Sequence, residues 1–416
     1  MSVQVKDITA RMIFDSRGNP TLRATVFTAE GVGSADAPSG ASTGKYEAVE
    51  LRDGGSAFHG KGVSKAIESV RKLSSALQGI NVTDQKKIDE EIIKADGTPN
   101  KSNLGANATV AVSLAVARTA AKITGKELFD YLNPGAARLP VPMMNIINGG
   151  KHAGSGLAIQ EFMIVPIGAR NFAEAMQMGT ETYHELKGII EEKYGKSATG
   201  IGDEGGFAPP IKKTRDALDL IVKAIEKSGY QDKIRISLDC AASSFYINKK
   251  YKIDGKSMNT HKLLEFYTSI IDEYKLFSIE DPFHEEDFES FAQLTKTGKC
   301  LVVGDDLTVT NVERIRKAID MGSISTLLLK VNQIGTLTEA MDAATLCKNN
   351  RKGIVVSHRS GETCDPFIAD LTVALECGMI KAGAPCRGER LAKYNRLLEI
   401  ESLLGSKAVY GLPEQN

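Results

Sequence analysis

The sequence predicts an α/β protein: a (β/α)8-type barrel with irregular opening strands over residues 136–416, preceded by a small α+β domain over residues 1–135. Three observations predict it. Strand-like segments come first and helical ones follow up to about residue 135, the layout of an α+β unit. From there strands and helices alternate, with eight strand-like runs in about 280 residues. Six consecutive runs each end on a charged or ionisable residue, at the spacing of one strand–helix unit.

In the first unit, residues 3–29 hold two strand-like segments around the turn cluster Asp15-Ser16-Arg17-Gly18-Asn19-Pro20. A Gly/Ala/Ser-rich segment follows and ends in Ser39-Gly40-Ala41-Ser42-Thr43-Gly44-Lys45, which lacks the Ser or Thr after the lysine that a Walker loop requires. Its glycines suit a lid. Helical patterns cover 63–78, 83–95 and the alanine-rich 105–123, and a short helix from Glu127 stops at Asn133-Pro134-Gly135.

The later strand-like runs are Val141–Ile147, Leu157–Val165, Ile234–Asp239, Leu276–Glu280, Leu301–Asp305, Thr326–Lys330, Ile354–His358 and Met379–Lys381. The helix at 214–228 places Leu218, Ile221, Val222 and Ile225 on one face, and 261–274 repeats that spacing. Only a Gly-rich loop separates the first two runs, and two helices then follow together, so the barrel opens irregularly. A doubly wound open sheet is the structural alternative.

Composition narrows the function. Lys+Arg and Asp+Glu both total 52, so no net basic excess points to nucleic acid. Residues 1–9 carry no apolar targeting core, and no run approaches the ~20 apolar residues of a membrane span. The six cysteines show no CxxC spacing, which fits a reduced, cytoplasmic protein rather than a disulfide scaffold.

The residues closing six runs are Asp239, Glu280, Asp305, Lys330, His358 and Lys381, spaced 41, 25, 25, 28 and 23 apart. A lone strand-end lysine usually snorkels to water. Six polar ends in series describe a ring at the carboxyl mouth of a barrel. Three carboxylates brought together repel, and a hard divalent cation with oxygen ligands, Mg²⁺, relieves them. A lysine beside such a centre loses some preference for its charged form and becomes a candidate base. The expected chemistry is proton abstraction next to a carboxylate.

These stretches resemble the enolase family over nearly the whole chain. The residues that carry the resemblance are Ser39-Gly40-Ala41-Ser42-Thr43-Gly44, Asn148-Gly149-Gly150 with His152, Gln160-Glu161-Phe162, Gly202-Asp203-Glu204-Gly205-Gly206 and Ser278-Ile279-Glu280-Asp281-Pro282. Asp305-Asp306-Leu307-Thr308-Val309-Thr310, Leu329-Lys330-Val331-Asn332-Gln333 and Ser357-His358-Arg359-Ser360-Gly361-Glu362-Thr363 continue it. The resemblance implies reversible dehydration of 2-phospho-D-glycerate to phosphoenolpyruvate, with the lysine base and Mg²⁺ established for that superfamily. It implies Lys330 as the base at C2 and Glu204 as the acid for the C3 hydroxyl, with Glu161 beside it. Asp239, Glu280 and Asp305 would hold the tighter Mg²⁺, and Ser42 a second one that arrives with substrate. Arg359 and Ser360 would bind phosphate, Lys381 would lie near the substrate carboxylate, and His152, Gln160 and His358 would complete the pocket. A homodimer or higher homo-oligomer is implied as well.

The chain departs from the family pattern at Ser244, where a glutamate is common, and at Arg23 and Glu399, whose charges are exchanged. Arg23 and Glu399 are expected to pair across a subunit interface. Rival readings are a superfamily member acting on an acid sugar or α-hydroxy acid, a Schiff-base barrel aldolase, and a scaffold that keeps only the fold. The phosphate pair and the Ser39–Gly44 loop argue against the first. The acid trio argues against the second, and the intact set of polar residues against the third.

Overall fold

In the computed structural model, residues 3–40, 44–154 and 156–413 are described. The chain opens with an antiparallel meander of three strands, Asp7–Phe14, Pro20–Phe27 and Val32–Asp36. The third strand lies in the Gly/Ala/Ser-rich segment, where the sequence had indicated no strand. Small residues there serve packing: a Cβ on Gly33 would stand 2.6 Å from the Thr119 backbone nitrogen.

That helix, Ala106–Ile123, is buried along almost its whole length. Alanine is the reason. With Ser64–Leu77 and Gln85–Asp96 it covers the meander, and its far side meets Leu337, Ala340 and Ala344 of helix Leu337–Asn349. A helix squeezed between two layers needs short side chains on both faces.

Eight strands close the barrel in the order fourth, fifth, sixth, seventh, eighth, first, second, third. They are Val141–Asn148, Glu161–Val165, Arg235–Asp239, Ser278–Glu280, Leu301–Gly304, Thr326–Leu329, Gly353–Ser357 and Met379–Lys381. Closure excludes the open doubly wound sheet. The second strand runs antiparallel to both its neighbours, and the other pairs are parallel. The helix pair expected there follows from this reversal. The second strand ends at the barrel floor and the third begins at the floor, so an up helix and a down helix must join them. These are Phe172–Tyr194 and Thr214–Lys227.

Val141, Met143, Met163, Val165, Val303, Leu328, Val355 and Met379 form a separate apolar cluster inside the barrel. Strand side chains alternate between faces. Two residues beyond Val303, Leu328 and Met379 stand Asp305, Lys330 and Lys381. Two residues before Met163, on the reversed strand, stands Glu161. The apolar plug therefore carries a polar layer directly above it. Among the described residues no helix is long and apolar enough to cross a membrane.

Candidate active site

Asp239 and Glu280 are cross-strand partners on the third and fourth strands, which sets their carboxylates side by side. Lys381 Nζ reaches both, at 3.0 Å from Asp239 Oδ2 and 3.0 Å from each Glu280 oxygen. It also lies 3.2 Å from Glu161 Oε2. Lys330 Nζ sits 2.6 Å from Asp305 Oδ2, and Gln333 Nε2 donates to Asp305 Oδ1 at 2.8 Å. The expected acid trio and the two lysines thus share one layer, in which Asp239, Glu280 and Lys381 are buried and Asp305 and Lys330 half-buried.

Burial raises the Glu280 carboxyl well above the usual range, and Asp239 and Asp305 add to it. Burial works against the Lys381 ammonium, but Asp239, Glu161 and Glu280 outweigh it and raise its pKa. Burial likewise opposes the Lys330 ammonium, and Asp305 outweighs it, so that pKa is raised too. The sequence had suggested a lowered amine pKa at Lys330. In the arrangement observed, the neighbouring carboxylate reverses that.

Glu161 opens the second strand, and because that strand is reversed, its start lies at the mouth beside Asp239. The sequence had begun this strand at Leu157. Residues 157–160 belong instead to the loop, where Gln160 Nε2 donates to Asp239 Oδ2 at 3.3 Å. Glu204 comes from the turn between Gly202 and Gly206, which folds back on the first strand. A Cβ on Gly206 would stand 2.3 Å from Asn148 Oδ1. Asn145 Nδ2 donates to Glu204 Oε2 at 3.0 Å. His152 Nδ1 lies 3.5 Å from Glu204 Oε1 and 3.6 Å from Glu161 Oε1, and His358 Nε2 lies 3.4 Å from Glu204 Oε2.

Burial pushes Glu161 well up, and Glu204 beside it pushes further. Burial also acts upward on Glu204, but His152 and His358 outweigh it and hold that carboxyl well below its usual range. One proton on Glu161 and a charge on Glu204 is the resulting state of the pair. Burial pushes His358 down to about 3, and it lowers His152 as well.

Arg359 makes a two-pronged ion pair with Glu47 of the first unit, at 3.0 and 3.1 Å. Glu47 Oε1 also accepts the Gly44 N–H at 2.9 Å and Gln333 Nε2 at 3.3 Å. Ser360 Oγ accepts from Arg17 Nη1 at 3.3 Å, and Arg17 Nη2 reaches the Ser39 and Gly40 carbonyls. Ser39 and Gly361 exchange backbone hydrogen bonds of 2.8 Å. The glycine-rich segment is therefore tied to the Arg359–Ser360 loop at both shoulders. Ser42 lies outside the described residues.

Sequence reasoning overlooked Glu47 and Arg390. The signal for Arg390 was its spacing: on helix Gly388–Leu404 it shares a buried face with Tyr394 and Leu397, where a charge needs partners.

Among the described residues, two groups place their ligand atoms close enough for one ion: His152, Glu161 and Glu204, and Asp281, Asp305 and Asp306. Neither is the expected trio. Asp281 spends both oxygens on the Asp305 and Asp306 N–H groups, at 2.9 and 2.7 Å. In the first group, Glu161 is raised well above the usual carboxyl range by burial and by Glu204 beside it. Asp239, Glu280 and Asp305 are answered by lysines alone, apart from amide and backbone donors, and offer hard oxygen atoms. That chemistry fits a hard cation better than either alternative.

The surface departures have partners within the chain. Arg23 pairs with Asp36, its Nη2 donating at 2.9 Å, and Glu399 lies 2.9 Å from Arg396 Nη1. Ser244 lies in the short turn Ala242–Phe245, away from these contacts.

A closed barrel with buried carboxylates, histidines and lysines at its mouth and an α+β unit tied across it defines a class of barrel enzymes. Within that class, residues 5–132 match the family model described as "Enolase, N-terminal domain" and residues 136–415 the one described as "Enolase, C-terminal TIM barrel domain". A curated relative named Enolase from Methanocaldococcus jannaschii is 56% identical over 405 residues, covering 97% of this chain and 96% of the relative. Those from Thermococcus kodakarensis and Pyrococcus furiosus are 54% and 53% identical over 415 residues, each covering 98% of this chain and 96% of the relative. The chain belongs to the enolase family.

Proposed function

We propose how this enolase-family hydro-lyase carries out the reversible dehydration of 2-phospho-D-glycerate to phosphoenolpyruvate, the phosphopyruvate hydratase reaction. Lys330 Nζ removes the C2 proton. The Glu204–Glu161 pair supplies the proton with which the C3 hydroxyl leaves as water. The observation that carries this reading is the division of one cavity into a lysine–carboxylate layer and a carboxyl pair flanked by two histidines.

The cavity measures about 30 Å³, room for water and not for a phosphorylated three-carbon acid. Substrate must therefore open the contacts that close it, and these are ion pairs. Were Asp305 to hold a cation in place of Lys330, the ammonium would lack the partner that keeps it protonated. Arg359 and Lys381 would then press it toward the neutral amine. Arg359, released from Glu47, presents a planar fork to the phosphate, with Ser360 beside it. Lys381 pairs the substrate carboxylate, and His152, Gln160 and His358 line the remaining wall.

Asp239, Glu280 and Asp305 would hold one Mg²⁺ and Ser42 would contribute to a second. Bound magnesium supplies positive charge beside the carboxylate, where negative charge develops. We place the first-unit boundary near residue 135, the chain's work in the cytoplasm and its assembly in a homodimer or higher homo-oligomer. The free cysteines among the described residues support the reducing compartment. The Arg23–Glu399 contact between subunits would be peripheral, since both charges have partners of their own.

Absorbance of the conjugated product formed from 2-phosphoglycerate, with and without Mg²⁺, tests the reading. Product with Mg²⁺ and none after chelation is expected. An acid sugar accepted in place of the phosphorylated substrate would sink it.

A further inference from the structure

Arg390 is completely buried, yet nothing in the proposed chemistry uses it. A buried guanidinium ordinarily needs a carboxylate. Among the described residues the carboxylate within ion-pair distance is Glu389, 3.5 Å from Nε. The two terminal nitrogens turn the other way. Nη1 donates to the Arg359 carbonyl at 2.6 Å and stands 2.7 Å from His358 Nδ1. Nη2 donates to the Ser360 carbonyl at 2.6 Å and the Asp203 carbonyl at 3.1 Å. One side chain thus grips the loop that follows the seventh strand and the turn that carries Glu204.

The local backbone is built around this grip. Gly383, with φ +89°, lets the arginine pass, since a Cβ there would lie 2.7 Å from Arg390 Cδ. The next residue, Ala384, donates its N–H to the Glu204 carbonyl at 2.9 Å.

A guanidinium has donors and no acceptor. His358 Nδ1 must therefore accept, which leaves the ring proton on Nε2, the atom facing Glu204 Oε2 at 3.4 Å. We infer that Arg390 is a positioning residue for departure of the hydroxyl: it fixes His358 as the Nε2–H tautomer and ties the Asp203–Glu204 turn to the His358–Ser360 loop, keeping Glu204 aimed. It touches no reacting atom. The inference rests on Glu204 as the group through which the hydroxyl leaves.

Isotope exchange at C2 separates this from a purely structural role, because Lys330 stands on the other wall. In Arg390→Lys, a side chain with fewer donors, product formation at saturating substrate should fall about 100-fold while C2 exchange moves less than about threefold. Arg390→Met should lose more product formation with the same sparing of exchange. Equal loss of exchange and product formation would overturn the inference. Glu204→Gln is run alongside. If that variant abolishes exchange, the assignment of Glu204 fails, and the inference with it. If it spares exchange while Arg390→Lys loses both, only the Arg390 inference fails. Should the variants not fold, histidine ¹⁵N resonances of the unaltered protein decide, with the His358 signal assigned by its disappearance in His358→Asn. An Nε2–H tautomer is expected; an Nδ1–H tautomer or an imidazolium would refute the inference.

Discussion

The last six barrel strands and the first two build opposite walls of the same cavity by different rules. From the third strand on, every neighbour is parallel, except where the third meets the reversed second strand. The candidate site residues Asp239, Glu280, Asp305, Lys330 and Lys381 sit on or just past strand ends, the last three directly above an apolar plug and the first two above the hydrogen-bonded Ser237–Ser278 pair. Their positions follow from the period of a strand. In the opening, a reversed strand brings Glu161 to the mouth by its start, and His152 and Glu204 arrive on glycine-rich turns held by contacts far apart in sequence. The regular wall gathers the lysines and the metal-type carboxylates, and the irregular wall gathers the proton-bearing pair. A parallel strand end offers a side chain in a repeating place. Two carboxyls brought close enough to shift one another need an approach that repetition does not provide.

Lys330→Ala should break the regular wall most severely, lowering product formation by about 10⁴-fold while substrate still binds, as steady-state rates and equilibrium dialysis will report. Glu204→Gln breaks the irregular wall. A loss of about 10²–10³-fold in product formation is expected, with KM nearly unchanged. Chelation followed by readdition of Mg²⁺ sharpens the contrast. Activity should vanish and return, and Glu280→Gln should need about 10- to 100-fold more metal to recover. A weaker effect is expected from Arg359→Lys, which loses the planar fork toward phosphate but keeps the charge. KM should rise about tenfold, consistent with a charge-assisted hydrogen bond.

The last effect concerns stability rather than rate, as a function of pH. His358 has a folded pKa depressed from 6.5 to about 3 by burial. Below pH 6.5 the unfolded chain therefore binds a proton that the folded chain does not, so acid favours unfolding. Stability present above that pH should decline by on the order of 1 kcal/mol per unit as pH falls toward 3. His358→Asn should flatten that slope in chemical denaturation series.

Most of the regular wall was legible in the sequence because the mouth of a parallel barrel repeats: each strand delivers one charge at the end of an apolar run, at a near-constant interval. His358 marks the limit of that rule. Its spacings of 28 and 23 from Lys330 and Lys381 are out of step, and Ser357, not His358, continues the inward face begun by Val355. His358 is instead held from outside by Arg390. Glu161 was recognisable by its motif, but its strand start was misplaced by four residues, because an apolar run does not announce where pairing begins. The third meander strand was hidden by glycine, whose presence reflects the helix at Thr119. Glu47 gave no local sign at all, since its partner Arg359 is more than 300 residues away. The upward shift of Lys330 was equally out of reach, as it depends on which way Asp305 turns.

The proposed mechanism divides proton removal and hydroxyl loss between separate walls. It is tested most directly by incubating 2-phosphoglycerate with Lys330→Ala and with Glu204→Gln in deuterated buffer containing Mg²⁺, and following deuterium at C2. Exchange in Glu204→Gln and none in Lys330→Ala is the expected result. Exchange retained in Lys330→Ala would mean that another group removes the proton, and the division of the site would fall.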